Sequence, residues 1–135
     1  PAEWHVVIPA GILHDVGVKA AEQKYGSSAA SYQEKEGPPV AREILLRLGF
    51  KLEDIEQICD IIAHHHSPGE LDSLNFKVLY DADRLVNLRE AAEEKNEEKL
   101  RRMIGRIFLT ETGKQLAQDQ YLNQPASSQV EEVRR

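Results

Sequence analysis

An adjacent histidine and aspartate, His14 and Asp15, follow an apolar run near the start of the sequence. A histidine triplet, His64 to His66, and an aspartate within an apolar stretch, Asp83, come later. Imidazole and carboxylate are the ligand types that hard and borderline divalent cations prefer. A helical protein has little reason to bury both types repeatedly unless a cation neutralises them. These residue types therefore predict a metal site, which we expect to be catalytic.

Helical phase distinguishes among the three histidines. At about 100° per residue, His65 and His66 continue the apolar face of the preceding segment, whereas His64 points away. That face consists of Ile55, Ile58, Cys59 and Ile62. We predict that His65 or His66 binds the metal and that the other lies beside it or faces the substrate; we assign His65 to the metal and His66 to catalysis. A solvated polar helix end is the alternative for all three.

The same phase argument places Asp83 within an apolar arc and Asp81 outside it. The arc comprises Phe76, Val78, Leu79, Ala82, Leu85 and Val86. A carboxylate on a buried face needs a cation or several hydrogen-bond donors to offset its desolvation. We therefore predict that Asp83 is a metal ligand oriented by Asn87, with an Asp83–arginine ion pair as the alternative. For His14 and Asp15 the alternative is a surface histidine followed by an aspartate at a helix end.

Glu34 and Glu36 precede Gly37-Pro38-Pro39 in a polar segment that we predict to be a loop. Beside a metal, either carboxylate could bind a second ion or position a water molecule, and Glu36 is the stronger catalytic candidate. Lys19 and Arg84 are candidates for offsetting phosphate charge, with ordinary surface charges as the alternative.

Composition limits the class of protein. The 135 residues suffice for one domain with a core, which we place at residues 1–124 with a polar tail over 125–135. The net charge of −6 argues against a nucleic-acid partner, and no apolar run approaches the roughly 20 residues of a membrane span. The single cysteine excludes a disulfide within one chain, and no signal-peptide pattern is present. We expect a cytoplasmic protein, for which a homodimer is an open alternative.

Apolar periodicity predicts an all-α fold, a compact bundle of about six helices. The first helix, over about 4–16, carries an apolar face that we expect to be buried, consisting of Val6, Val7, Ile8, Ile12 and Leu13. Gly17 then lets the chain turn, and a short helix and a long mobile loop follow over 19–36. A helix starts near Pro38, since proline is favoured in a first turn, and ends at Leu48. Further helices are predicted over about 53–65, 75–93, from Asn96 onward and over 112–122.

Taken in order, these residues resemble the HD-domain superfamily of metal-dependent phosphohydrolases over about residues 4–88. The pair His14-Asp15 matches the paired motif of the family, and Asp83 matches its final aspartate. The pair His65-His66 is similar to that of members with two metals, which place a further ligand near Glu36. Asn87, with Arg89, resembles the hydrolase domain of guanosine-tetraphosphate hydrolases, which makes Asn87 a substrate-binding candidate.

This resemblance implies one or two divalent ions (Mn, Fe, Mg, Co, Ni or Zn) bound by His14, Asp15, His65 and Asp83. It implies a small-molecule phosphate ester, a nucleotide or a related compound, as substrate. The sequence departs from the family in having no equivalent of an earlier histidine ligand, so we expect a preceding segment to supply it. A Gly-Tyr-Pro signature is absent, which argues against a cyclic dinucleotide substrate. Two alternatives are an HD-fold di-iron oxygenase and a non-catalytic regulatory HD domain.

Overall fold

The structure, a computed structural model, describes residues 1–123. The helices in chain order are α1 (Trp4–Leu13), α2 (Val18–Tyr25), α3 (Ala30–Arg47), α4 (Leu52–His64), α5 (Leu74–Glu93), α6 (Glu97–Ile107) and α7 (Glu111–Tyr121). Residues 1–123 contain no strand, so the all-α prediction is confirmed, with seven helices where about six were predicted. The predicted polar tail, residues 125–135, lies outside the described residues. Within the described range, no helix combines the length and apolar character that crossing a membrane requires.

Contacts divide the chain within α5 into an N-terminal unit, Pro1–Leu79, and a C-terminal unit, Tyr80–Arg135. In the N-terminal unit α1 and α3 pack against α4, and α2 packs against α3. α4 buries one face of an amphipathic sequence, consisting of Ile55, Ile58, Cys59, Ile61 and Ile62. Each fully buried isoleucine contributes about 1.5–3 kcal/mol to folding. Because α4 carries four of them and contacts both α1 and α3, it is the central element of this unit. The prediction of one domain over residues 1–124 stays a prediction.

α1 buries a different face from the predicted one. Val6 and Val7 are buried as predicted, and Ala10 is buried as well, whereas Ile8 is 53% and Ile12 76% exposed. The prediction that these two isoleucines are buried was wrong. The helix is apolar around most of its circumference, so its sequence pattern does not select a face, and packing against α4 makes that choice.

α3 begins well before the predicted start at Pro38 and contains Gly37, Pro38 and Pro39 in its interior. The predicted loop was therefore wrong in its second half, and Glu34 and Glu36 lie on a helix. An interior proline removes a helix hydrogen bond, which ordinarily disfavours it. This part of α3 packs closely on α4: a Cβ on Gly37 would lie 2.9 Å from the Ile62 side chain, and the Cys59 thiol donates to the Pro38 carbonyl at 3.6 Å.

Gly17 permits a close approach rather than an unusual turn. Its backbone is right-handed helical, at φ −78° and ψ −11°, a conformation that any residue adopts. A Cβ at this position would lie 2.6 Å from both the Gln33 carbonyl oxygen and the Gly37 nitrogen. The glycine thus lets α3 lie directly against the turn that carries His14 and Asp15.

The C-terminal unit has its own core, formed by the second half of α5 with α6 and α7. Its buried members are Leu88, Leu100, Ile104, Phe108 and Ala117. α6 begins where the sequence predicts it, and the Asn96 side chain caps it by accepting a hydrogen bond from the Lys99 backbone N–H. Thr110 caps α7 in the same way, accepting from Gly113.

Candidate metal centre

Three predicted site residues lie together in the N-terminal unit. Asp15, His65 and His66 each offer a ligand atom, and these atoms lie within 4.8 Å of one another. We call these three residues the metal-compatible group. Asp15 follows α1, whereas the two histidines come directly after α4, whose buried face continues into His65. The packing of α1 against α4 therefore brings together residues that are far apart in the sequence.

Backbone carbonyls orient two imidazoles toward Asp15. His14 Nδ1 lies 2.6 Å from the Gly11 carbonyl oxygen, and His65 Nδ1 lies 2.6 Å from that of Ile62. A carbonyl only accepts, so each Nδ1 carries the proton and, in the neutral ring, Nε2 carries the lone pair. The two Nε2 atoms lie 3.2 Å and 3.6 Å from the Asp15 carboxylate oxygens. This is the arrangement in which metal-binding histidines are usually held.

His64 and His66 differ in their surroundings. The His64 Nδ1 lies 2.7 Å from the carbonyl oxygen of Asp60, one turn back in α4, and His64 does not belong to the metal-compatible group. His66 does belong to it, and its Nε2 lies 3.1 Å from Gln33 Oε1. Helical phase therefore separated the histidines as the structure does, while their binding of a metal stays a prediction.

The donor set fits a divalent cation. Two ligands of one ion, with bonds of about 2.0–2.2 Å, lie at most about 4.4 Å apart, close to the spacing observed here. The side chain of Asp15 is 61% exposed, so its carboxylate can adjust by rotation. The imidazole of His65 is 1% exposed, and the Ile62 carbonyl holds its orientation. Mixed imidazole and carboxylate donors suit zinc, manganese, iron, cobalt and nickel.

The predicted ligand Asp83 belongs to the C-terminal unit. Its carboxylate lies 3.3 Å from the Arg84 guanidinium and accepts a hydrogen bond from the Asn87 amide at 3.2 Å. Asn87 thus contacts Asp83 as the sequence indicated, and the alternative of an arginine ion pair is also present. Arg84 also lies over the Tyr80 ring, 4.6 Å from its centroid. The metal-binding role of Asp83 and the substrate-binding roles of Arg84 and Asn87 stay predictions.

The apolar arc predicted on α5 was wrong in part, because Ala82 and Val86 are exposed and Asp81 is buried. Asp81 is 5% exposed and accepts three hydrogen bonds from the start of α7. The donors are the Leu109 and Thr110 backbone N–H groups and the Thr110 hydroxyl, at 2.6–2.9 Å. The phase of α5 against α6 and α7 decides which side is buried, and the sequence of α5 alone does not contain that information.

Glu36 contacts α2 rather than the histidines. Its Oε1 accepts from the Tyr25 hydroxyl at 2.7 Å and from the Lys24 ammonium at 3.1 Å. These two hydrogen bonds, that of Tyr25 first, hold the pKa of Glu36 below its usual value. Glu36 is outside the metal-compatible group found in residues 1–123. Its catalytic role stays a prediction, as does phosphate binding by Lys19, which is exposed on α2.

Sequence reasoning missed Gln33, the hydrogen-bond partner of His66. The reason is that polarity and Gly26-Ser27-Ser28 predict a short helix and then a loop over 19–36, with the next helix starting near Pro38. The run Gln33-Glu34-Lys35-Glu36 consists of good helix formers and would have indicated a helix. A helix there would have placed Gln33 and Glu34 on a fixed element.

A comparison with protein families identifies an HD domain over residues 4–88, which is more than half of the chain. No curated protein and no solved structure matched the chain. The matched range contains His14, Asp15, His65, His66 and Asp83, and HD-domain proteins are commonly metal-dependent hydrolases. The chain belongs to the HD-domain family.

Proposed function

We propose that this protein is a metal-dependent phosphohydrolase that acts on a nucleotide or a related phosphate ester. The observation that carries the proposal is the group of Asp15, His65 and His66, whose ligand atoms lie within 4.8 Å of one another. Family membership supports the same reaction class. A bound divalent cation would lower the pKa of a coordinated water molecule and polarise a phosphoryl oxygen.

The protein's own contribution is to hold the ligands in place. The carbonyls of Gly11 and Ile62 fix the rings of His14 and His65, so that neither imidazole has to reorganise when a cation binds. The Asp15 carboxylate adds the negative charge that a cation requires, and Asp83 is the predicted second carboxylate ligand. We assign Glu36 to proton transfer or to the orientation of the attacking water, and we place His66, which the sequence predicts to be catalytic, among the candidate ligands with Asp15 and His65.

Substrate charge supports a role for the predicted cationic residues. The net charge of the protein is −6, so a phosphate ester needs local positive charge in order to bind. Lys19 lies in the first turn of α2, just after the turn that carries Asp15. Its exposed ammonium is our candidate for contacting a substrate phosphate, together with Arg84 and Asn87.

The test is metal quantification on the purified protein, followed by assays with nucleoside phosphates and phosphodiesters. We expect His65→Gln and Asp15→Asn to weaken metal affinity at least tenfold, because each removes a ligand, and to abolish hydrolysis. The matched control is His64→Gln, which changes a neighbouring histidine whose Nδ1 lies beside the Asp60 carbonyl; its metal affinity should match the wild type.

Two results would contradict the proposal. The first is equal metal affinity in His65→Gln and His64→Gln, which would mean that the candidate group is not the metal site. The second is turnover that requires molecular oxygen and releases no phosphate or alcohol product, which would favour the di-iron oxygenase alternative.

A further inference from the structure

The amide of Gln33 has a defined orientation. Its nitrogen lies 2.6 Å from the Ser28 carbonyl oxygen, and its oxygen lies 3.1 Å from His66 Nε2. A backbone carbonyl accepts hydrogen bonds and never donates them. The amide nitrogen must therefore face Ser28, which leaves the amide oxygen facing His66.

The orientation of Gln33 determines which nitrogen of His66 carries the proton. An amide oxygen only accepts, so His66 Nε2 is the donor to Gln33. A neutral imidazole has one N–H, so Nδ1 then carries the lone pair that can bind a cation. This is the reverse of His65, whose Nδ1 donates to the Ile62 carbonyl and whose Nε2 faces Asp15.

The helix turn that carries Gln33 is fixed on two further sides. The Gln33 carbonyl oxygen packs so closely on Gly17 that a Cβ there would lie 2.6 Å from it. The next residue, Glu34, accepts a hydrogen bond from the Ser67 hydroxyl at 2.6 Å. The first turns of α3 therefore contact both the Asp15 turn and the segment that follows α4.

We propose that Gln33 is a positioning residue that holds His66 in the Nε2–H tautomer and so makes Nδ1 the metal-binding atom of His66. The histidine pair would then bind through unlike nitrogens, Nε2 of His65 and Nδ1 of His66. The coordination part of this inference rests on the proposed metal site, whereas the tautomer is a property of the metal-free protein.

The test has a readout that does not depend on activity. Long-range proton–nitrogen NMR of ¹⁵N-histidine protein, metal-free and at about pH 8 where imidazoles are neutral, identifies the tautomer of His66. We expect the Nε2–H form in the wild type. In Gln33→Leu, which removes the acceptor, we expect a mixture of tautomers and metal affinity reduced about 10- to 100-fold.

Two variants separate positioning from a general structural effect. Gln33→Glu keeps an acceptor for His66 and should retain the Nε2–H form. Gln23→Leu makes the same change at an exposed glutamine on α2 and should alter neither the tautomer nor the metal affinity. Circular dichroism establishes that each variant is folded.

An Nδ1–H tautomer of His66 in the wild type would overturn the inference, and so would a folded Gln33→Leu with wild-type tautomer and affinity. Failure of the proposed function gives a different result. An Nε2–H tautomer that depends on Gln33, in a protein that binds no divalent cation, would overturn the metal site and leave the hydrogen-bond assignment standing.

Discussion

Asp15 in the N-terminal unit and Asp81 in the C-terminal unit are two carboxylates in opposite circumstances. Asp81 is 5% exposed and accepts three hydrogen bonds at the start of α7. The Asp15 side chain is 61% exposed, and the groups beside it are the imidazoles of His14 and His65. Protein donors already offset the desolvation of Asp81, whereas Asp15 keeps its oxygens open to solvent beside potential metal ligands. The comparison predicts that Asp81 stabilises the fold and that Asp15 contributes to the candidate metal site rather than to stability.

Replacing each aspartate by asparagine tests this difference. The loss of stability at Asp81 is the largest effect that we expect. In Asp81→Asn an amide nitrogen replaces an oxygen and faces donors of Thr110 or Leu109. We expect a loss of about 2–4 kcal/mol in the free energy of unfolding, because buried donors lose a charged acceptor. In Asp15→Asn we expect a change within about 0.5 kcal/mol.

Urea denaturation of metal-free protein measures both free energies, with Asp119→Asn, on the exposed side of α7, as a surface control. The comparison would break if Asp15→Asn destabilised the metal-free protein as much as Asp81→Asn does. Asp15 would then be a structural residue that only happens to lie beside histidines.

The sequence predicted individual helices better than the contacts between helices that surround the candidate site. The segments of α4 and α6 were predicted closely, because each has a clear amphipathic pattern, and α6 also has a capping asparagine. His65 and His66 were separated from His64 by phase alone. Such predictions succeed where one helix contains all the relevant information.

Predictions failed where two helices decide the outcome together. The burial of Asp81 depends on how α7 meets α5, and Gln33 reaches His66 only because α3 begins at Ala30. The exposure of Ile8 and Ile12 follows from which side of an apolar helix meets α4. Periodicity within one segment does not encode these pairings.

Each aspartate region also depends on a glycine, and substitution there should have the next largest effect. A Cβ on Gly113 would lie 2.5 Å from Asp81 Oδ2, and one on Gly17 would lie 2.6 Å from the Gln33 carbonyl oxygen. We expect Gly113→Ala and Gly17→Ala each to lose about 1–3 kcal/mol, as overpacking does. Gly17→Ala should also weaken metal binding, because the turn that carries Asp15 must move away from α3.

The control is Gly105→Ala, because a Cβ at this position on α6 meets no atom within 4 Å. Alanine is the better helix former, so this variant should gain about 0.5–1 kcal/mol. Thermal denaturation measures the three free energies, and isothermal titration measures metal affinity. If Gly17→Ala were as stable as Gly105→Ala, the close approach of α3 would not constrain the site.

Glu36 is intermediate between the two aspartates, and the effect expected there is the smallest. Its side chain is 17% exposed and accepts from Tyr25 and Lys24. These bonds lower the pKa of Glu36, so its ionised form stabilises the fold above the unfolded-state pKa, and that contribution is lost as pH falls through the folded-state pKa. Tyr25→Phe removes the largest cause, so the pKa should rise and acid unfolding should begin at a slightly higher pH.

Carboxyl ¹³C NMR titration measures this pKa directly. The matched control is Tyr32→Phe, which removes a hydroxyl from the ring stacked on Tyr25 at 4.1 Å and should leave the pKa of Glu36 unchanged. An unchanged pKa in Tyr25→Phe would assign the shift to the lysine ammonium groups, Lys24 first and then Lys35. Glu36 would then depend on exposed ammonium groups and would resemble Asp15 more than Asp81, because an exposed ion pair holds a carboxylate only weakly. A raised pKa would instead place Glu36 with Asp81, as a carboxylate that protein donors hold.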